Sequence, residues 1–257
     1  MHVNTFKQKL AAGGEVIGAF LDIPSPIIVE IMHRAGFDFF VIDGEHGVFG
    51  PESMDVCART GDLCGFHPVI RVPENTPINI QKAMDLLPAA ILVPQVTCHS
   101  EAERAVQSAL FPPRGIRGNS PYTRYGGYSA DIGPGLARTA DENAFIICQI
   151  EGVEGVRNLD EILAVERLDA IFIGPYDLST SLGIPGRIDD PGVLSKMGEI
   201  ASKSRERGKI VGTYCPDPAL AKRWRKAGIQ FLAVGLDTAI LYEGCRGIVE
   251  GLKQAGK

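Results

Sequence analysis

Residues 145–179, FIICQIEGVEGVRNLDEILAVERLDAIFIGPYDLS, contain two short apolar runs that are each followed by a carboxylate. Glu151 comes directly after FIICQI, and Asp177 comes shortly after AIFIGP. Their separation is about that of one strand–helix–strand unit, in which the two strands are parallel. We therefore predict neighbouring parallel strands that bring both acids to the same edge of one sheet.

Two carboxylates at one edge repel each other unless a cation lies between them, and no basic residue adjoins Glu151 or Asp177 in the sequence. Carboxylates and water are the usual ligands of Mg²⁺. The pattern therefore favours a divalent metal held by Glu151 and Asp177. The structural alternative is that Glu151 caps the following helix and Asp177 opens a turn.

The same rhythm of an apolar run, a polar break and a helical pattern extends along the whole chain. Runs that are apolar throughout are typical of parallel strands covered on both faces. Eight of them in a chain of this length predict one (β/α)₈ TIM barrel spanning 1–257, and an open doubly wound sheet is the main alternative. The runs are 16–21, 39–43, 68–72, 90–96, 145–150, 170–175, 210–214 and 231–236.

Composition excludes several classes of protein. The 257 residues are 45% hydrophobic and carry a net charge of −5 without a basic block, which argues against nucleic acid or an anionic membrane as a partner. We expect neither a secretory signal nor a membrane-spanning segment. The six cysteines form no C-x-x-C pair, so we predict a cytoplasmic protein with reduced thiols.

Several helix starts are marked in the sequence. Proline follows a capping residue at Ser25, Thr76 and Asp217, which is the preferred order at a helix N-terminus. Ser100 followed by Glu103 fits a capping box. The last segment, DTAILYEGCRGIVEGLKQAG, is predicted to be a helix that packs on a neighbouring subunit.

One segment, 111–144, is too long for a plain connection and is predicted to be a long loop between the fourth and fifth strands. Its arginines, Arg114, Arg117 and Arg124, suggest a lid or an anion contact, and a solvated loop is an equally good interpretation.

In a (β/α)₈ barrel the active site lies at the carboxyl ends of the strands, so the residues after each run are the candidates. These residues include a histidine, an arginine, carboxylates and glutamines. We expect a substrate cavity formed by Arg71, Gln149, Gly174, Pro175, Ser179 and Tyr214.

His46 is the candidate general base, because the usual pKa of histidine lies near neutrality. Asp43 or Glu45 is expected to orient it, and the alternative is an ordinary turn histidine in DGEHG. Arg71 offers a planar fork that suits a carboxylate of an oxo acid, and the alternative is an arginine that bridges two strand ends.

A divalent metal, an arginine and a base together indicate enolate chemistry on a 2-oxo acid. The metal-free route to the same chemistry is a lysine Schiff base. None of the lysines falls at the end of a predicted strand, which argues against that route.

Several ordered motifs resemble the metal-dependent pyruvate aldolases of the HpcH/HpaI type over nearly the whole chain. The motifs are FDFFVIDGEHG, PVIRVPE, ILVPQV, FPPRGIRG, QIEG and FIGPYDLSTSLGIPG. The resemblance implies a (β/α)₈ barrel that cleaves a 4-hydroxy-2-oxo acid to pyruvate and an aldehyde, reversibly, with Mg²⁺, Mn²⁺ or Co²⁺.

By the same resemblance, Glu151 and Asp177 match the metal ligands and His46 matches the catalytic base. Arg71 matches the residue that steadies the enolate, and Gln149 a polar neighbour of the metal. Asp85 matches a catalytic acid that reaches a histidine of a neighbouring subunit, so a homo-oligomer, a trimer or hexamer, is implied.

Two other functions stay open at this level. A decarboxylase or lyase acting on an oxaloacetate-like or CoA-linked acid passes through the same enolate. A binding protein that keeps the barrel without turnover is the alternative from another class.

Overall fold

The computed structural model describes residues 3–254 and contains a closed barrel of eight parallel strands in sequential order, with β8 pairing back to β1. The predicted (β/α)₈ barrel is confirmed, and the open doubly wound sheet is excluded. The strands are β1 (Val16–Leu21), β2 (Phe39–Asp43), β3 (His67–Arg71), β4 (Ala90–Val93), β5 (Ile146–Ile150), β6 (Ala170–Ile173), β7 (Ile210–Cys215) and β8 (Phe231–Leu236).

Helices alternate with these strands and cover the outside of the barrel. The helices are α1 (Thr5–Ala11), α2 (Pro26–Arg34), α3 (Pro51–Cys64), α4 (Pro77–Asp85), α5 (His99–Ala109), α6 (Leu136–Asn143), α7 (Val153–Arg157), α8 (Leu159–Leu163), α9 (Pro175–Ser181), α10 (Pro191–Glu206), α11 (Pro218–Lys226) and α12 (Asp237–Gln254), with a 3₁₀ helix at Arg124–Ser129. No helix in the described part of the chain combines the length and apolarity that crossing a bilayer requires.

Alternate strand residues point into the barrel, where aromatic rings fill most of the interior. Phe231 contacts Phe39 at 4.6 Å and Phe172 at 5.4 Å between ring centroids. At Gly212 an added Cβ would lie 2.4 Å from the Phe231 ring, so only glycine fits there. Phe6 of α1 closes the amino end of the barrel by edge contacts with several of these rings. The barrel is therefore a packed core with an open carboxyl end.

The predicted helix starts are confirmed in part. Helices begin at Pro26, Pro77 and Pro218, and the Asp217 carboxylate accepts hydrogen bonds from two backbone N–H groups of α11. The capping box at Ser100 and Glu103 is wrong, because α5 already begins at His99. Glu101 instead accepts hydrogen bonds from the backbone and side chain of Thr97, which lies just before the helix.

Residues 111–144, predicted to be a long loop between the fourth and fifth strands, connect α5 to β5 and are irregular over much of their length. The segment contains the 3₁₀ helix and α6, and it lies at the amino end of the barrel. Arg124 donates to the carbonyl of Leu86 and pairs with Asp62, both of which are at this end. The suggested lid is excluded within one chain, because a segment that joins the end of a helix to the start of a strand is on the face opposite the strand ends.

Helix α12 leaves the barrel instead of packing along it. Between Thr238 and Lys253 every residue of this helix is exposed, including Leu241, Ile248 and Leu252. Ile17 of β1, on the outside of the barrel, is 40% exposed, and the neighbouring helix α2 exposes Ile27 and Ile31. The barrel therefore has an uncovered apolar face where its last helix would pack.

Candidate active site

A cavity of about 470 Å³ opens at the carboxyl end of the barrel. Its lining combines acidic groups with an aromatic floor. The lining residues are Phe20, Asp22, Asp43, His46, Arg71, Gln149, Phe172, Gly174, Pro175, Tyr176, Asp177, Tyr214 and Leu236.

The alternation of the strands explains why these side chains meet. Successive side chains of a strand point to opposite faces, so residues two apart share a face. Phe20 and Phe172 point into the barrel with the interior rings. The side chains of Asp43, Arg71 and Gln149 are on the same inward face, at the ends of β2, β3 and β5, where the barrel opens.

Glu151 is a buried carboxylate held by two donors. The backbone N–H of Gln95 donates to its Oε1 at 2.7 Å, and the Gln149 amide donates to its Oε2. Burial raises the pKa of Glu151 well above its usual range, and repulsion from Glu45 and Asp177 adds to this despite the two hydrogen bonds. A carboxylate buried beside other carboxylates is a site prepared for a cation.

The alternative role of Glu151 as a helix cap is excluded. The residue before α7 is Gly152, and the Val153 N–H at the start of the helix binds the Ser181 hydroxyl at 2.9 Å. Both oxygens of Glu151 instead face the donors from Gln95 and Gln149.

The groups around Glu151 supply further oxygens. Gly174 is required because a Cβ there would lie 2.7 Å from Glu151 Oε2. Asp177, in the first turn of α9, is exposed to the cavity, and its carboxylate makes no hydrogen bond or ion pair within residues 3–254. Gln149 Oε1 is buried and has no partner in the same part of the chain. The carboxylates of Glu151 and Asp177 and the amide oxygen of Gln149 are oxygen ligands of the kind that a hard divalent cation prefers.

The set is small for a metal site built by protein alone. No group of three or more His, Cys, Asp or Glu side chains converges as a metal site among the described residues. Glu151 and Asp177 would leave most coordination positions to substrate and water, as Mg²⁺ sites commonly do.

Arg71 lines the cavity and pairs with two acids of the protein, so part of its guanidinium is already engaged and its role toward a substrate stays a prediction. Its Nε donates to Asp43 Oδ1 at 2.8 Å and its Nη2 to Asp43 Oδ2, while Nη1 lies 3.0 Å from Glu45 Oε2. Residues Asp43 and Arg71 are register partners on β2 and β3, so the alternative of an arginine that bridges strand ends is what the structure contains. Burial alone would raise the pKa of Asp43, but Arg71 lowers it below the usual value. Arg71 retains N–H groups for single hydrogen bonds to a ligand.

His46 lies on a turn made by Asp43, whose Oδ1 accepts the backbone N–H groups of Glu45 and His46. The imidazole lines the cavity, with its side chain 64% exposed and its Nε2 3.8 Å from Glu45 Oε2. Glu45, not Asp43, is therefore the carboxylate beside the ring.

Two predicted site residues are outside the cavity. Ser179 is fully buried, and its hydroxyl donates to the Tyr176 carbonyl at 2.6 Å and accepts from the Gly186 N–H at 2.9 Å. It holds the loop after α9 and does not face a substrate. Asp85 is at the amino end of the same barrel, where it pairs with Arg117 at 2.6 Å.

Three further residues belong to the site: Glu45 and Gln95, which the sequence placed near strand ends, and Asp22, which the sequence analysis did not name. Asp22 lines the cavity. It is two residues after Phe20, so the alternation of side chains along β1 predicts that it points to the same side. Glu45 links Arg71, His46 and Gln95, whose Nε2 donates to it at 2.7 Å. Gln95 has a φ of 55°, a left-handed conformation that is rare outside glycine and that no sequence pattern announced.

No lysine lines the cavity within the part of the chain that the structure describes. A Schiff base in this pocket therefore has no amine, in agreement with the expectation from the sequence.

Comparison with known proteins identifies the family. Residues 16–243 match the HpcH/HpaI aldolase/citrate lyase family, and the chain belongs to it. It is 35% identical to a hydroxypyruvate/pyruvate aldolase of Roseovarius nubinhibens over 95% of this chain and 94% of the relative. It is 36% identical to a 5-keto-4-deoxy-D-glucarate aldolase of Salmonella arizonae over 98% and 97% of the two chains.

A crystal structure of a family protein from Burkholderia cenocepacia superposes with a TM-score of 0.91 at 28% identity, covering 98% of this chain and 100% of the other. The predicted resemblance is therefore confirmed for the fold and for the family.

Proposed function

We infer that this protein is a class II pyruvate aldolase, which cleaves a 4-hydroxy-2-oxo acid to pyruvate and an aldehyde and catalyses the reverse addition. The main support for this inference is the environment of Glu151. This buried carboxylate has a raised pKa and lies beside Asp177 and an unpartnered oxygen of Gln149. The aldolase names of the relatives favour this reaction over the decarboxylase alternative and over a barrel without turnover.

Glu151 and Asp177 are the proposed metal ligands, with Gln149 Oε1 as a neighbouring oxygen. A bound Mg²⁺, Mn²⁺ or Co²⁺ ion supplies positive charge that polarises the 2-oxo group and stabilises the charge of an enolate. These ions share a preference for oxygen ligands, so the donor set accepts each of them.

The remaining residues orient the substrate and move its proton. A free N–H of Arg71 donates to the 2-oxo oxygen, and Gly174, Pro175 and Tyr214 shape the cavity around the acid. His46 accepts the proton of the 4-hydroxyl while the C3–C4 bond breaks. The electron pair of that bond passes into the enolate of pyruvate, and a proton added at C3 completes the product. Glu45, paired with Arg71, orients the imidazole of His46.

Proton exchange tests enolate formation without knowledge of the aldehyde. We expect the methyl protons of pyruvate to exchange with D₂O in the presence of enzyme and Mn²⁺, followed by proton NMR. Chelation abolishes the exchange and added Mg²⁺ or Mn²⁺ restores it. Exchange that survives chelation and is trapped by borohydride would refute the metal route.

We also propose a homo-oligomer in which α12 of one copy covers the exposed apolar face of another. Ile17, Ile27 and Ile31 leave a face without its last helix, and α12 carries the apolar residues that suit it. The same assembly, a trimer or hexamer, is where Asp85 would approach His46 of a neighbour.

Light scattering tests the assembly. Leu241→Glu is expected to dissociate the oligomer, whereas Leu63→Glu, on a similarly exposed leucine of α3, leaves it intact. Equal masses for both variants would exclude α12 as the contact.

We propose that the protein is cytoplasmic. The support is that all six cysteines are free thiols, three of them buried. Fractionation of cells that express the tagged chain tests the location.

A further inference from the structure

Asp22 is an acidic residue of the cavity that the mechanism above does not use. It follows β1, whereas the proposed metal ligands follow β5 and β6. In a ring of eight sequential strands, β1 is directly across from β5. The wall that contains Asp22 is therefore across the cavity from the proposed metal ligands, and it bounds the space left for an aldehyde beside a pyruvate unit held near Glu151.

The backbone of Asp22 is fixed in place. Asp237, at the start of α12, accepts hydrogen bonds from the N–H groups of Asp22 at 3.0 Å and Ile23 at 2.9 Å. A Cβ at Gly47 would lie 3.4 Å from the Asp22 Cα, so Asp22 also packs against the turn that carries His46. Both contacts fix the backbone of Asp22 at the rim of the cavity, and its carboxyl lies against Asp43 in the cavity that His46 also lines.

The wall around Asp22 carries more negative than positive charge, because Asp43 and Asp237 lie near Asp22 and Arg71 offsets their repulsion only in part. The arginine of the cavity, Arg71, is already shared by Asp43 and Glu45. Asp22 Oδ1 is shielded from solvent and lacks a hydrogen-bond partner within residues 3–254. Burial, repulsion from Asp43 and Asp237 and a side-chain hydrogen bond with Asp43 raise the pKa of Asp22 to about 6, against the attraction of Arg71, so the group is mostly ionised above neutral pH.

We propose that Asp22 determines the aldehyde specificity: it accepts a hydrogen bond from a hydroxyl of a neutral hydroxyaldehyde and repels an aldehyde that carries its own carboxylate. The proposal rests on the aldolase function inferred above. An unpartnered carboxylate oxygen gains a donor from a hydroxyl, whereas a second carboxylate beside it adds repulsion without a cation to offset it.

The chain also offers an internal control. Arg223 lines a neighbouring depression that shares Tyr176 with the cavity, and it makes no ion pair within the described part of the chain. An anionic aldehyde that turned away from Asp22 toward β7 would meet this arginine.

The experiment compares two aldehydes of the same size in the addition of pyruvate with Mn²⁺. Glyceraldehyde and tartronate semialdehyde differ in a terminal hydroxymethyl group or carboxylate. We expect the wild type to have the larger kcat/KM for glyceraldehyde. Asp22→Asn should reduce the preference by about tenfold, mainly through a lower KM for the anionic aldehyde, as expected when one neighbouring charge is removed from a partly solvated site. Arg223→Ala should leave the preference unchanged.

The outcomes distinguish a failure of the aldolase function from a failure of the proposed role of Asp22. Absence of pyruvate proton exchange in the wild type overturns the aldolase function itself. Normal exchange with the same preference in wild type and Asp22→Asn overturns only the role of Asp22, and so does a preference that changes in Arg223→Ala. Asp22→Ser, which removes the charge with a smaller side chain, gives the same test if the asparagine variant does not fold.

Discussion

The two ends of the barrel hold cavities of similar volume, about 470 Å³ at the carboxyl end and about 460 Å³ at the amino end, but different charges surround them. At the amino end several charged groups form ion pairs, although the buried Asp141 has none among the described residues and burial raises its pKa. The pairs are Arg117 with Asp85, Arg124 with Asp62 and Lys7 with Asp169.

At the carboxyl end carboxylates outnumber cations. Arg71 serves both Asp43 and Glu45, while Asp22 and Glu151 have raised pKa values because they are buried near other acids. Volume therefore does not distinguish the two cavities. The two cavities differ in charge instead, because several acids share one arginine at the carboxyl end, which is the arrangement expected of a functional site.

Glu151→Gln is the sharpest test of this contrast. The substitution keeps the shape of the side chain but removes a charge needed for the cation, so we expect kcat/KM to fall at least about a thousandfold. Stability should change little, because removal of a buried unbalanced charge is opposed by the loss of one of the two oxygens that accept N–H groups. Steady-state kinetics, Mn²⁺ titration and thermal unfolding measure these effects. Glu154→Gln, on an exposed acid of α7, is the matched control. A variant with normal Mn²⁺ affinity would contradict the site.

Phe6→Ala tests the opposite end, and its effect should appear in stability. Phe6 is fully buried against several rings of the barrel interior. The cavity left by the substitution is expected to cost about 3–5 kcal/mol of unfolding free energy. Denaturant unfolding measures this, while kcat/KM of the folded enzyme stays within twofold. Val3→Ala, on an exposed residue nearby, should change stability by less than about 0.5 kcal/mol. A large loss of kcat/KM in Phe6→Ala would remove the division between the two ends.

His46→Ala tests the role of the proposed base independently of cation binding. The loss of a general base is expected to lower kcat by about a hundredfold or more and to leave Mn²⁺ affinity unchanged. His99→Ala, on an exposed histidine of α5, is the control for the loss of an imidazole. If both variants keep the wild-type kcat, His46 is the turn histidine of the structural alternative.

Asp22→Asn has the smallest expected effect, which depends on pH. The folded protein raises the pKa of Asp22 from 3.8 to about 6, so it binds more protons than the unfolded chain between these values. Wild-type stability therefore falls as pH rises through this window, and Asp22→Asn lacks this fall.

With allowance for solvent around a half-buried carboxyl, the variant should be about 1 kcal/mol more stable than wild type above pH 7. The two proteins should converge near pH 4. Thermal midpoints across this range check the sign, and a variant less stable than wild type at pH 8 would contradict an unbalanced charge at Asp22.

Much of the barrel was predictable because parallel strands buried on both faces are apolar without interruption. The ranges 16–21, 39–43 and 231–236 coincide with β1, β2 and β8. The capping box at Ser100 failed because a short polar motif does not fix which residue starts a helix. The segment 111–144 cannot cover the site of its own chain because it runs from the end of α5 to the start of β5, and such a segment lies at the amino end of the barrel.

Site residues that follow a strand were predictable from the sequence. The partners of a side chain, which depend on tertiary contacts, were not. His46, Gly174 and Tyr214 line the cavity as expected. Arg71 was expected to face a substrate carboxylate, and its register with Asp43 already engages part of its guanidinium. Gln95 is part of the site because its backbone is left-handed, and this conformation depends on the surrounding tertiary structure.

The order of apolar runs and polar ends in the sequence alone determined a (β/α)₈ barrel and placed Glu151 and Asp177 near one rim, because alternation and strand polarity are local properties of the chain. Tertiary structure decided which charges are paired. Asp43 neutralises Arg71 across two strands, while Asp22 and Glu151 remain unbalanced. Charge balance depends on distance and burial between residues far apart in the sequence, and these exist only once the barrel has closed.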